Sequence, residues 1–574
     1  MVNNFHEKAN FIWQVADDIL RGTFKAYEYG NVILPFVVLR RLDMVLEPNK
    51  DAVINTYEQF KSSLDDERLT PVLKQAAGKL DFYNRSFYDL RRLAQDPKNL
   101  ELNFTNYING FSPNVREIIE NFQLDKVIEK LIKNDLLYML IEKFTEVDLS
   151  PSNVTNHEMG YIFEELLRRF SEMSNETAGE HYTPREIIRL MVSLLFAEHQ
   201  HQLQGKGIIR SVYDPACGTD GMLITAKEYI RTEINPDVEV TLYGQELNEQ
   251  TFAIAKSEML IIGENPENIR QGNSFTQDKF KGSHFTYMLS NPPFGVSWAK
   301  EAAFIQNEAN DPNGRFYAGL PRKSDGALLF LQHMISKMEA GGSRMAIIFN
   351  GSPLFTGDAG SGESDIRKWI IENDWLEAII AMPNDMFYNT GIATYIWLVT
   401  NRKPRRRKGK VQLINAVDYS TPMRKSLGNK RNYFTDEHIQ QITQIYTEFS
   451  ESRVSKIFDN PDFGFTKVTV ERPACTPTGD IKTDRKGNPT PDTALRDYEK
   501  IPLKEDIEAY FQREVLPHVP DAWMDRSKDK IGYEISFTKY FYEYTPLRPL
   551  EDIKADILAL EAETDGLLGK ILTE

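Results

Sequence analysis

From Ile208 onward, short apolar runs alternate with helical stretches, and this alternation leaves few folds open. The predicted strands are Ile208–Tyr213, Val238–Tyr243, Phe285–Leu289, Met345–Phe349, Leu376–Met382, Thr394–Val399 and Val411–Ile414. Amphipathic stretches separate several of them, notably Gly221–Arg231, Glu249–Leu260 and Gly326–Met338. Strand–helix alternation builds an α/β fold with a doubly wound, mostly parallel sheet. Such sheets bind ligands at the carboxyl ends of their strands. The residues that close each strand are therefore the first place to look for chemistry.

Three strand ends carry unusual residues. Asp214-Pro215-Ala216-Cys217-Gly218-Thr219-Asp220-Gly221-Met222 joins the first strand to a helix. An acid, a glycine turn and a helix N-terminus form a nucleotide-binding layout. Glu246 follows the second strand, where a carboxylate holds a ribose diol. Ser290-Asn291-Pro292-Pro293-Phe294 closes the third strand. Its prolines cannot donate to a sheet ladder, so they stop the strand and stiffen the backbone beside an amide and a ring. Taken singly, each piece has an ordinary structural explanation, and Asn-Pro-Pro-Phe alone reads equally well as a proline turn. Their order and their shared position at strand ends carry the functional reading. There is no GxxxxGK[ST] element for a triphosphate.

Residues 1–155 read as an N-terminal helical domain, with Phe11, Ile12, Val15, Ile19 and Leu20 at helical spacing. Its basic positions Arg21, Lys25, Arg40 and Arg41 fit solvated helix faces. Thr183-Pro184 is expected to cap the helix that follows it. The basic run Arg402 to Lys410 suits a solvated hairpin loop or a phosphate contact. Residues 471–500 read as a loop or linker, and Ile507 to Val515 as helical. The chain closes on a helix whose Leu550, Ile553, Ile557, Leu560, Leu567 and Ile571 form a three-four seam. Such a seam wants another helix, from this chain or from a partner subunit.

The formal net charge of −16 counts against a protein that grips DNA alone, because phosphate neutralisation needs Lys and Arg. Two cysteines exclude a disulfide framework and a thiolate zinc site, and the nine His make no metal motif. No stretch suggests a signal peptide or a membrane span, so a reducing cytoplasm is the expected location.

With these motifs in place, the chain resembles the modification (M) subunit of type I restriction–modification systems, a family of N6-adenine DNA methyltransferases. The matching segments are Leu20-Arg21-Gly22, Gly179 to Pro184, Asp214 to Met222, Asn291 to Phe294, Gly319 to Asp325, and Phe387 to Thr394. The resemblance implies S-adenosyl-L-methionine as cofactor. Tyr182, Thr183 and Pro184 would border its methionine end. Asp214, Gly218, Thr219 and Gly221 would form the loop beneath it. Glu246 would take its ribose hydroxyls, and Asn273 would contact its adenine. Asn291 and the Pro292 carbonyl would receive the two hydrogens of the target amine, and Phe294 would stack on the flipped base. The implied partners are double-stranded DNA, a specificity subunit, a second copy of this chain and a restriction nuclease subunit, with no membrane. The expected domains are a helical N-terminal domain at 1–155, a methyltransferase domain at 156–450, and at 451–574 a largely helical C-terminal extension whose terminal helix serves subunit contact.

The chemistry agrees with this assignment. An exocyclic adenine amine is a poor nucleophile because its lone pair is delocalised into the ring. Two acceptors that hold its hydrogens restore a directed lone pair, so positioning does most of the work. The base must leave the duplex to be reached. No covalent enzyme intermediate is needed, and Cys217 is not read as a nucleophile. Two departures from the family pattern stand out. Asp220 occupies a position usually glycine, where it would crowd the cofactor or turn to solvent. Asn273 stands where an acid is common. Other readings remain open at this level: a self-sufficient DNA methyltransferase, a catalytically silent DNA-binding scaffold, and transfer to N4 of cytosine.

Overall fold

In the computed structural model, residues 3–173, 183–388, 390–478, 480–542 and 548–571 are described. The chain divides into two compact units, Met1–Ile535 and Ser536–Glu574. The strands are β1 Ile209–Asp214, β2 Glu239–Glu246, β3 Ile269–Gln271, β4 Tyr287–Ser290, β5 Arg344–Asn350, β6 Leu376–Ala381 and β7 Thr394–Thr400. They continue with β8 Lys410–Asn415, β9 Thr421–Leu427, β10 Lys430–Tyr433, β11 Ser455–Asp459, β12 Gly464–Glu471, β13 Asp497–Pro502 and β14 Trp523–Tyr533.

Nine strands form one sheet in the order β11-β8-β6-β7-β5-β4-β1-β2-β3. All seven expected strands are present. β1 runs parallel to β2 and β4, and β4 runs parallel to β5. Only β7 and β11 run against their neighbours. The chain fills the sheet outward from β1 to β3, then returns to the other side of β1 with β4. That reversal opens a crevice between the ends of β1 and β4. Asp214 and Ser290, the last residues of these two strands, flank it.

The N-terminal part is helical from Asn3 to Glu146, as expected. Its Arg40 and Arg41, however, are not solvated. Both are buried. Arg40 donates to the carbonyls of Val147 (2.8 Å) and Thr145 (3.0 Å). Arg41 donates to the Val154 carbonyl (2.9 Å) and to Asn156 Oδ1 (2.7 Å). The two guanidiniums pin the segment that leads out of the helical part. Burial lowers the Arg41 pKa to about 10.

Helix Glu249–Ile262 is apolar almost all round, as a helix buried on two sides must be. Phe252, Ala255 and Met259 join the core above the sheet. Ala253, Ile254, Leu260 and Ile261 join the core of the N-terminal helices. Lys256 meets Glu117 of that part at 2.6 Å.

The basic run is not a hairpin loop, and it is solvated only in part: Arg402, Arg405, Arg406 and Lys408 are exposed, whereas Lys403 and Arg407 are buried. β6 lies between β7 and β8, so the connection crosses a strand. It sits beyond Thr400, which pairs with Arg344 at the opening of β5, on the sheet edge opposite Asp214 and Ser290. Arg407 is fully buried between Glu198 (3.0 Å) and Glu377 (3.5 Å). Lys403 pairs with Asp374 at 2.6 Å. Glu377 also meets Arg344 at 2.8 Å, a contact of charges rather than an aligned hydrogen bond. The run locks the sheet edge from within.

Beyond residue 450, β11 extends the main sheet and β12 pairs antiparallel with both β13 and β14. Neither element was expected. Both helical expectations in this region are met, at 507–515 and at Leu550–Ile571. In the second unit, Leu550, Ile553 and Ile557 of the closing helix stand exposed. Among the described residues, no helix is long and apolar enough to cross a membrane.

Candidate active site

β1 delivers Asp214 into the crevice, where it is 1% exposed. Its Oδ1 accepts from the Ala216 N–H and the Ser290 hydroxyl, both at 2.9 Å. Burial pushes its pKa up to about 7, against the pull of these two donors. Ser290 ties the end of β4 to the end of β1.

The loop after Asp214 is strapped to β2. The Cys217 N–H donates to the Gln245 carbonyl at 3.1 Å. The Gly218 N–H donates to Glu246 Oε2 at 3.0 Å, while Oε1 accepts from the Asn248 N–H at 2.8 Å. Gly218 has φ +57°, a conformation natural to glycine. Gly244 must also stay small, because a Cβ there would meet Cys217 Sγ at 2.8 Å. The loop hands over to helix Gly221–Tyr229, whose first amides have no partner within the helix. Thr219 and Gly221 thus stand at a helix N-terminus.

Asp220 neither turns to solvent nor lies open in the crevice. It adopts φ +65°, has no exposed surface, and both carboxylate oxygens are buried without a hydrogen-bond partner. Burial drives its pKa well above the ordinary value, opposed in part by the neighbouring Cys217 thiol. Burial thus favours its protonated form. Burial, and then Asp220, push the Cys217 thiol up in turn, so it is no nucleophile.

β4 delivers Asn291, which is 9% exposed. Its Nδ2 donates to Thr183 Oγ1 at 2.8 Å. Its Oδ1 is buried with no partner. The hydroxyl of Thr183 was expected to cap a helix. That helix instead starts at Arg185 behind Pro184 with no side-chain cap, and the hydroxyl faces Asn291. Tyr182 lies outside the described residues. Pro292 is buried, and the Phe294 ring packs edge-on against Phe387 with centroids 6.5 Å apart.

Asn273 follows β3. Its Oδ1 accepts from the Phe275 and Thr276 N–H groups at 2.9 and 3.3 Å. Its Nδ2 donates to Glu301 Oε1 at 3.2 Å. Leu247, directly after Glu246, is 63% exposed. Sequence reasoning quoted Ser290 without giving it a role, and missed Leu247 and Glu301. Glu301 has no motif around it, whereas Leu247 was legible as an apolar residue next to a ribose acid.

A cavity of about 430 Å³ lies behind the loop, lined by Met159, Phe163, Ile224 and Ile261 among others. It shares Thr219 and Gly221 with the loop but not Asp214, Glu246 or Asn291. It is therefore not the crevice. Among the described residues, no group of His, Cys, Asp or Glu is placed to hold a metal ion.

The crevice thus unites two strand-end carboxylates, a helix N-terminus and an amide with one unclaimed acceptor. Comparison with known proteins gives the same direction. The chain is 28% identical to the type I restriction enzyme MjaIX methylase subunit of Methanocaldococcus jannaschii, over 81% of each chain. It is 31% identical to the type I restriction enzyme HindI methylase subunit of Haemophilus influenzae, over 45% of this chain and 54% of that one. The crystal structure of a type I restriction–modification methyltransferase subunit from Streptococcus thermophilus superposes with a TM-score of 0.63. It is 21% identical, with 79% of this chain and 96% of that one covered, and shares the fold. Residues 8–144 match the HsdM N-terminal domain, and residues 154–469, more than half of the sequence, match the N-6 DNA Methylase model. The chain belongs to the N-6 DNA methylase family.

Proposed function

We propose that this chain is the modification subunit of a type I restriction–modification system. It transfers a methyl group from S-adenosylmethionine to the N6 amine of a flipped adenine in double-stranded DNA. A separate specificity subunit chooses the site. The observation that carries the reading is Asn291, a buried amide whose oxygen has no partner and whose nitrogen is held by Thr183.

The residues present fit the cofactor. Glu246 stands at the end of β2, where a carboxylate holds a ribose diol. The amides at Thr219 and Gly221 suit a carboxylate at a helix N-terminus. Asp214 lies beneath them. The bound cofactor supplies an electrophilic sulfonium methyl. Asn291 Oδ1 and the Pro292 carbonyl accept the two amine hydrogens and hold the nitrogen lone pair in one direction. Phe294 backs the flipped ring. Asp220 is fully buried, and burial favours its neutral form over a charge facing the cofactor carboxylate, which counts against a silent scaffold.

The acidic balance of the chain supports delegated site reading. The exposed seam of the closing helix suits a helix of the specificity subunit. A second copy of this chain, a nuclease subunit and a cytoplasmic location follow from the same assignment. The regions 1–155, 156–450 and 451–574 serve as a helical domain, the methyltransferase domain and an extension whose terminal helix makes the subunit contact.

The test is co-expression with a cognate specificity subunit, followed by mapping of modified bases beside Asn291→Ala. Methylation at adenine in the wild type and its loss in the variant are expected. Site-specific methylation by the isolated chain would overturn the delegated model, and full methylation by Asn291→Ala would remove Asn291 from the mechanism.

A further inference from the structure

We propose that Glu301 reads the base of the methyl donor, with Asn273 as its partner; this rests on the reading that the chain binds S-adenosylmethionine. The Asn273 amide oxygen is occupied by two backbone N–H groups of its own loop. The position that would usually accept from an adenine amine has therefore lost its acceptor. One Nδ2 hydrogen goes to Glu301 Oε1, which leaves one donor on Asn273. The Glu301 carboxylate keeps acceptor capacity on both oxygens. Donor and acceptor thus stand side by side.

An adenine edge presents the complementary pair, an acceptor at N1 and a donor at the exocyclic amine. The placement suits a base. The Gly272 N–H bonds the Glu246 carbonyl at 2.9 Å, so Asn273 lies next to the ribose carboxylate. The exposed Leu247 follows Glu246 directly. Glu301 itself is anchored by its backbone, since its N–H donates to the Trp298 carbonyl at 3.1 Å. Trp298 is buried, and its indole N–H bonds the Arg322 carbonyl at 3.0 Å. A carboxylate contributed by the segment after Asn291–Phe294 replaces the acid missing at Asn273.

The test is calorimetric titration of the full chain with S-adenosylhomocysteine and its deaminated analogue, S-inosylhomocysteine. The analogue carries an acceptor where adenine has its amine. The wild type should favour the adenosyl ligand strongly. Glu301→Ala should weaken adenosyl binding by about tenfold, as expected for one charge-assisted hydrogen bond. Glu301→Gln can donate as well as accept, so it should narrow the adenosyl-to-inosyl ratio by about tenfold or more. Unchanged ratios in both variants, with normal wild-type binding, would overturn the role of Glu301 alone. Failure of the wild type to bind either ligand would overturn the cofactor reading itself.

Discussion

Thr183 and Asn291 lie 108 residues apart, yet the amide of one donates to the hydroxyl of the other at 2.8 Å. The bond settles which way the Asn291 amide faces, because Thr183 Oγ1 takes its N–H. The oxygen is left without a hydrogen-bond partner. Thr183→Val removes the acceptor and frees the amide to rotate. Methylation by the assembled enzyme should fall by about 10- to 100-fold, the cost of a misplaced reacting group. Thr183→Ser should restore it. Asn291→Ala should lose about 10²- to 10³-fold, with cofactor affinity nearly unchanged. Equal rates for Thr183→Val and wild type would show that the bond does not orient the amide.

Asp214 gives the cofactor site a pH dependence. Its pKa of about 7 means that it is half protonated near neutrality. The cofactor carries a cationic sulfonium and favours the ionised acid, so binding should release a proton. Affinity should rise with pH through about 7 and level off above it, seen by calorimetry in buffers of different ionisation enthalpy. Ser290→Ala deletes a donor to the ionised form and should move the midpoint up by about one unit. A flat pH profile between 6 and 8 would be the contrary result.

Asp220 is a stability liability of known sign. Its folded-state pKa lies above the ordinary 3.8, so the folded chain binds the proton more tightly than the unfolded chain. Its contribution is most favourable below that value and is lost as pH rises toward the folded pKa. Asp220→Gly suits the positive φ and removes the buried acid. It should stabilise the free protein by about 1 kcal/mol, with a higher melting temperature whose margin grows as the pH rises above the ordinary carboxylate range. A margin independent of pH would contradict the buried, protonated state.

Glu377 has no exposed surface and faces both Arg344 and Arg407. Burial alone would lower the Arg344 pKa, but Glu377 and Tyr446 outweigh it and raise it above the ordinary value. Glu377→Ala leaves two buried cations facing each other and should destabilise the fold by about 3–5 kcal/mol. Glu505→Ala, which breaks a surface pair with Arg513, should leave the urea midpoint unmoved. Similar midpoints for the two variants would show that the buried network adds nothing.

The sheet was legible because apolar runs and turn residues mark strands locally. β3 escaped because it holds three residues, and β11 because Ser455-Lys456-Ile457-Phe458-Asp459 has too short an apolar stretch. The motif residues Asp214, Gly218, Glu246 and Asn291 do stand together at the crevice. What could not be read was direction. Thr183 resembles a helix cap, and only the fold aims its hydroxyl at Asn291. Arg40, Arg41 and Arg407 look like solvated charge in the sequence, yet each is buried where backbone carbonyls or carboxylates await it. Side-chain orientation depends on partners far along the chain, which no local pattern encodes.

Helix Glu249–Ile262 has no face turned to water, and this bears on how the chain can vary. A helix shared between two cores cannot drift freely on either side. Residues 1–155 are therefore not an exchangeable module. A graft from a relative would have to match Ala253, Ile254, Leu260 and Ile261 as well as its own interior. The helix begins three residues after Glu246. A shift of the N-terminal helices would therefore bear on the end of β2 that carries Glu246. Inheritance of the two parts as one piece is the expected outcome.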